Sequence, residues 1–120
     1  MANCSFKAGD TIYSAGDQSD HAFIIKSGQV SIAFVINGRS IEIDAGPGDF
    51  IGDSAAVFID QDPANSNSYK ATATAETDVE AVMFPIAALK SELEAASPIL
   101  KNWIASFADR ALKVIVKATE

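Results

Sequence analysis

The chain has one cysteine, one histidine and only nine basic residues against sixteen acids in 120 positions. Each scarcity excludes something. A lone Cys4 leaves no partner for an internal disulfide and fits a reducing compartment, so the cytoplasm is the expected location. A single histidine cannot build a metal centre that needs two or three imidazoles. It also leaves no second histidine to pair with a serine, and no base stands near Cys4, so nucleophilic catalysis lacks its parts. His21 follows Asp20 and reads as a solvent-exposed residue of an acidic turn. The net charge of −7 and the absence of any basic window argue against direct nucleic-acid binding, which needs massed Lys and Arg. No apolar run approaches the ~20 residues of a membrane helix. The opening MANCSFKAGD has neither the basic nor the apolar region of a signal peptide. Asp60-Gln61-Asp62 starts like a calcium loop, but Ala64 stands at the third ligand position and no glycine follows. The remaining carboxylates have no catalytic spacing. The chain is therefore read as non-enzymatic, with no metal.

What is present is a regular rhythm of short strands and glycine turns. A chain of this length is one domain, able to bury roughly two-thirds of its unfolded surface. Gly9-Asp10 and Gly16-Asp17 bracket a short strand at 11–14. Residues 22–25 form an apolar run ending at Ser27-Gly28. Residues 29–36 then alternate, with Val30, Ile32 and Phe34 on one face. Asn37-Gly38 is a strong hairpin signal, because both residues accept a positive φ. On the return strand Ile41 and Ile43 point inward, and Ser40, Glu42 and Asp44 outward. Another turn follows at 45–49. After a polar loop at 59–68, residues 69–76 alternate again: Tyr69, Ala71, Ala73 and Ala75 face inward, with Lys70, Thr72, Thr74 and Glu76 outward. Residues 79–84 form the last strand.

Two helices close the chain. Pro85 suits a first helical turn, and Ile86, Leu89 and Leu93 form a stripe. Ser97-Pro98 is a second start, serine as N-cap and proline at the first helical position. Ile99, Leu100, Trp103, Ile104, Phe107, Ala111, Leu112 and Ile115 recur at helical spacing. The expected plan is a mainly β sandwich or barrel-like roll over about 6–84, with helices over about 85–95 and 98–117. The chain reads as a single domain, 1–120, and equally suits a piece of a longer protein.

The ordered motifs resemble the cyclic nucleotide-binding domain family. Phe6 to Ile12 (FKAGDTI), Gly16-Asp17 and Phe23 to Val30 (FIIKSGQV) match its opening pattern. Gly48-Asp49-Phe50-Ile51-Gly52-Asp53 matches the entry to its phosphate-binding cassette, and Thr77-Asp78 the exit. The resemblance implies an eight-stranded β-roll (a jelly roll) with a helical lid and a pocket for cAMP or cGMP. It places the ribose-binding acid on Asp53, one methylene shorter than the family's glutamate, and the phosphate-binding amides on Ser54, Ala55 and Ala56. An N-terminus of this kind favours anions whatever its side chains. Gly52 reads two ways, as a clearance for ligand or as a turn residue.

The departure is at the arginine. Counting back from Thr77-Asp78, the resemblance assigns its position to Tyr69, followed by Lys70 and by Ala71 and Thr72. Lys70 lies on the opposite face from Tyr69, and its ammonium lacks the guanidinium's two prongs. Removing one partner of a buried charge pair costs on the order of 3–5 kcal/mol, a hundredfold to a few thousandfold in affinity. Asp60 and Asp62 would add like charge near a phosphate. The expectation is a regulatory module with a weak pocket for a cyclic nucleotide or another small ligand. The alternative is a ligand-free interaction domain, using the helix from Trp103 through Phe107 to Ile115 to contact its twin or a partner protein.

Overall fold

A computed structural model describes residues 2–18, 20–36, 38–52, 69 and 71–118. Two four-stranded antiparallel sheets form among them. One has the order β1 (Ala2–Phe6), β8 (Val79–Pro85), β3 (His21–Ser27), β6 (Phe50–Ile51). The other has β2 (Thr11–Tyr13), β7 (Thr72–Ala75), β4 (Val30–Ile36), β5 (Arg39–Ala45). Helices α1 (Ile86–Ala95) and α2 (Pro98–Ala118) follow. This is the β-roll with two C-terminal helices that the alternation and turn spacing predict.

The alternating segments pair as their patterns require. Val30 lies opposite Ala45 and Ile36 opposite Arg39, with Gly38 at φ 76° in the hairpin between them. On β7 the small residues Ala73 and Ala75 are fully buried, which lets the larger Tyr13, Phe23 and Tyr69 share the core with Ile25, Ile51 and Val79. A second apolar cluster, Ala22, Phe84 and Ile86, carries the roll into the first helix.

The repeated glycine-aspartate pairs cap their own turns. The Asp10 carboxylate accepts from the Lys7 amide and that of Asp49 from the Gly46 amide, each across 2.8 Å. Asp78 and Thr77 work across the fold instead, accepting from the Ala8 and Gln29 amides at 3.0 Å. Gly28 is required by space as well as by φ. At φ 95° its missing Cβ would lie 2.3 Å from the Asp78 carbonyl oxygen.

Several expectations change. The N-terminal segment is strand β1, paired along β8 from Ala2↔Met83 to Phe6↔Val79. Its pattern is too irregular to show alternation, and the ladder with β8 forms it. His21 is no turn residue: it opens β3 opposite Pro85 and is half-buried. Ile43 shares the inward face with Ile32, which it lies opposite, yet it is exposed, β5 being the edge strand of its sheet. Pro85 ends β8 rather than entering the helix; its ψ of 138° is extended, and α1 begins at Ile86.

The second helix starts as predicted, with the Leu100 amide donating to the Ser97 hydroxyl at 3.3 Å. Among its described residues one apolar face lies open. Ile99 is 80% exposed, Trp103 62%, Phe107 61% and Val114 68%. Ile104, Ala108 and Ala111 are half-buried. No described helix is long and apolar enough to cross a membrane.

Candidate functional site

The cassette entry is built on β6. Phe50 and Ile51 pair with Ile24 and Phe23 of β3, so the chain reaches Gly52 with its backbone held against the sheet. Gly52 takes φ 75°, a conformation cheap only without a Cβ. A Cβ there would meet the Tyr69 ring at 3.2 Å, the His21 carbonyl oxygen at 3.3 Å and the Tyr13 ring at 3.4 Å. The space beside this glycine is therefore taken by the protein's own side chains. Asp53, Ser54, Ala55 and Ala56, the acid and amides assigned from the resemblance, lie outside the described residues, as do Asp60, Asp62 and Lys70.

On the exit side, Tyr69 precedes β7 and is fixed by its main chain. The Gly16 amide donates to its carbonyl and its own amide donates to the Asp17 carbonyl, both at 2.9 Å. These two bonds tie Tyr69 to the turn after β2 and direct its side chain into the core. There its ring stacks on Tyr13 with centroids 4.1 Å apart and planes 17° from parallel. Its hydroxyl donates to the His21 carbonyl across 2.6 Å.

Burial raises the Tyr69 phenol above its ordinary pKa. The charges of Asp20 and Asp17 add to that shift. The group is thus a neutral donor at physiological pH. Ala71 is half-buried. Thr72 opens β7 and is also half-buried, its hydroxyl oxygen accepting from the Ala15 amide at 3.0 Å.

Of the sequence-assigned site residues, the structure brings Gly52 and Tyr69 together. Ala71 and Thr72 follow on the same strand entry. Two participants escaped the sequence reading. Tyr13 had no signal beyond its place in a short strand. The His21 carbonyl is a backbone group, which no side-chain motif reveals. Among the described residues no group of His, Cys, Asp and Glu is arranged to hold a metal ion.

None of the curated proteins matches the chain. Solved structures do. The EAL enzyme Bd1971 in its cGMP-bound form superposes with a TM-score of 0.75 at 20% identity, over 98% of this chain and 30% of that one. Its cAMP-bound form gives 0.74 at 18% identity, with the same coverage. A transcriptional regulator from Thermotoga maritima gives 0.67 at 14%, over 98% of this chain and 88% of that one. The regulatory subunit of a cAMP-independent protein kinase A from Trypanosoma brucei gives 0.58 at 22%, over 71% and 28% respectively. The chain thus spans under a third of the EAL enzyme's length, and at these identities the likeness establishes the fold. The family model for the cyclic nucleotide-binding domain matches residues 3–96, most of the chain. This protein belongs to the cyclic nucleotide-binding domain family.

Proposed function

We propose that the chain is a non-enzymatic regulatory module whose cassette binds a cyclic nucleotide weakly, with affinity in the millimolar rather than the micromolar range. The observation that supports this is Tyr69. At the position that the family resemblance assigns to a phosphate-binding arginine, the side chain is a neutral phenol. It is turned inward, stacked on Tyr13 and hydrogen-bonded to His21. A neutral donor already engaged by a backbone carbonyl gives a cyclic phosphate no counter-charge. The loss of a buried charge partner is worth on the order of 3–5 kcal/mol. What attraction is left falls to the amides that the family resemblance assigns to the phosphate, at residues 53–56. Solved relatives with cAMP or cGMP bound, such as the EAL enzyme Bd1971, support nucleotide as the ligand class.

The output of such a module runs through α2. Ile99, Trp103, Phe107 and Val114 form an exposed apolar face, larger than scattered surface residues give. A twin of this chain or a partner protein covers it. Should the cassette prove empty at all concentrations, this same face supports the second reading, a ligand-free interaction module.

Titration with cAMP and cGMP, followed by calorimetry and by the amide resonances of Gly52, Ala71 and Thr72, tests the proposal. Saturable shifts in the millimolar range are expected. Absence of any shift would leave only the interaction reading.

A further inference from the structure

Tyr69 stands where three parts of the fold meet. Its ring lies against Gly52 at the entry to the cassette, where a Cβ on the glycine would come within 3.2 Å of it and the ring would have to give by a few tenths of an ångström. It stacks on Tyr13 of β2. Its hydroxyl holds the His21 carbonyl at 2.6 Å. One residue earlier, the Asp20 carbonyl accepts from the Ile86 amide at 2.9 Å. Ile86 is the first residue of α1 and is buried with Ala22 and Phe84. His21 itself lies opposite Pro85, the residue that caps α1. The segment Asp20-His21 is thus gripped from the cassette side by Tyr69, and on its other side it grips the start of the helix.

We infer that Tyr69 is the link through which a change at Gly52 reaches the start of α1. Close packing gives the physical reason. A ring in contact with Gly52 and stacked on Tyr13 has no slack, so a shift of the Gly52 backbone must move it. The ring carries the hydroxyl, and the hydroxyl carries the His21 carbonyl. The His21 and Asp20 carbonyls lie on successive peptide planes that share the His21 Cα, so a displacement of His21 reaches Asp20 and changes its bond to Ile86. The helix responds because Ile86 is the first amide of α1 and its bond to Asp20 anchors the helix to the roll. A coupling of this kind needs a contiguous set of contacts with two arrangements, and the set Gly52, Tyr69, His21, Asp20 and Ile86 is contiguous throughout. As a route for ligand signals, the link rests on the sensor reading above; as a mechanical connection, it does not.

Amide hydrogen exchange read by NMR tests it in the intact chain. Tyr69→Phe keeps the stacked ring and removes only the hydroxyl. Exchange of the Ile86 amide should accelerate about two- to tenfold, the loss of one net hydrogen bond, while the β4–β5 hairpin amides keep their rates. An unchanged Ile86, or acceleration of all amides together, overturns the inference. Gly52→Ala supplies the second arm, since its Cβ presses on the Tyr69 ring. It should shift the Ile86 resonance when Tyr69 is present and leave it in place in the Tyr69→Phe background. Equal shifts in both backgrounds overturn the link. Added cAMP separates the two claims. Shifts at Gly52 that never reach Ile86 defeat the link and leave the sensor reading intact. If cAMP shifts neither residue while Gly52→Ala still moves Ile86, the sensor reading fails and the link stands.

Discussion

The rings of Tyr13 and Tyr69 lie stacked 4.1 Å apart beneath Gly52, with the Tyr69 hydroxyl bonded to the His21 carbonyl. Stack and hydroxyl make separable contributions. Tyr69→Phe should cost about 0.5–1.5 kcal/mol, a net hydrogen bond. Tyr69→Ala should cost about 3–5 kcal/mol, because it opens a cavity between Gly52, Tyr13 and the core. Urea unfolding of the two variants measures both. Equal costs would mean that the ring contributes nothing beyond its hydroxyl.

Gly28 and Gly9 share nearly the same φ, 95° and 92°, but only Gly28 is crowded. Gly9→Ala meets nothing within 4 Å and should cost about 1–2 kcal/mol, the left-handed penalty alone. Gly28→Ala places a carbon 2.3 Å from the Asp78 carbonyl and should cost about 3–4 kcal/mol, adding overpacking to that penalty. Thermal unfolding of the pair gives the difference directly. Similar melting temperatures would contradict the Gly28–Asp78 contact.

Glu76 carries a pH signature opposite to that of an ordinary surface carboxylate. Its hydrogen bond with Asp44 comes first among the causes that raise its pKa, followed by desolvation and by the charges of Asp44 and Glu42. A carboxyl with a raised folded pKa binds its proton more tightly in the folded state. Its contribution to stability therefore grows as pH falls through that raised value, and is least favourable when Glu76 is ionised at neutral pH. Glu76→Gln should raise stability at pH 7 and flatten the stability profile on the acid side. A loss of stability at pH 7 would show that the ionised group is favourable as it stands.

The exposed face of α2 should be separable from the roll. Trp103→Ser and Phe107→Ser remove large side chains that are more than half exposed, so roll stability should change by no more than about 0.5 kcal/mol each. Self-association measured by sedimentation, or capture of a partner, should fall sharply. A large drop in roll stability would mean that these side chains pack on the β-roll after all.

Much of the fold was legible because its signals are local. Alternation at 30–36 and 72–75, the hairpin turn at Gly38 and the Ser97-Pro98 helix start each act within a few residues. Strand β1 was not legible, since its place depends on β8, more than 70 residues away. Ile43 lies on the face that alternation gives it, but its exposure was not legible, because alternation does not tell whether an edge position is covered. His21 was misread because a lone polar residue after an aspartate carries no sign of a ladder with Pro85. At the site, the sequence could single out Gly52 and Tyr69 but not their contact, which depends on how the turn at Gly16-Asp17 holds Tyr69. The carbonyl that completes the site belongs to the backbone and carries no side-chain signature.

The central claim is a family cassette weakened by a tyrosine in place of a cation. Isothermal titration of the intact chain with cAMP and with cGMP, run alongside the Gly52 amide shift, tests it most directly. The account predicts saturable binding in the millimolar range for at least one nucleotide. A micromolar dissociation constant would contradict it, because it would require a phosphate partner that Tyr69 does not provide.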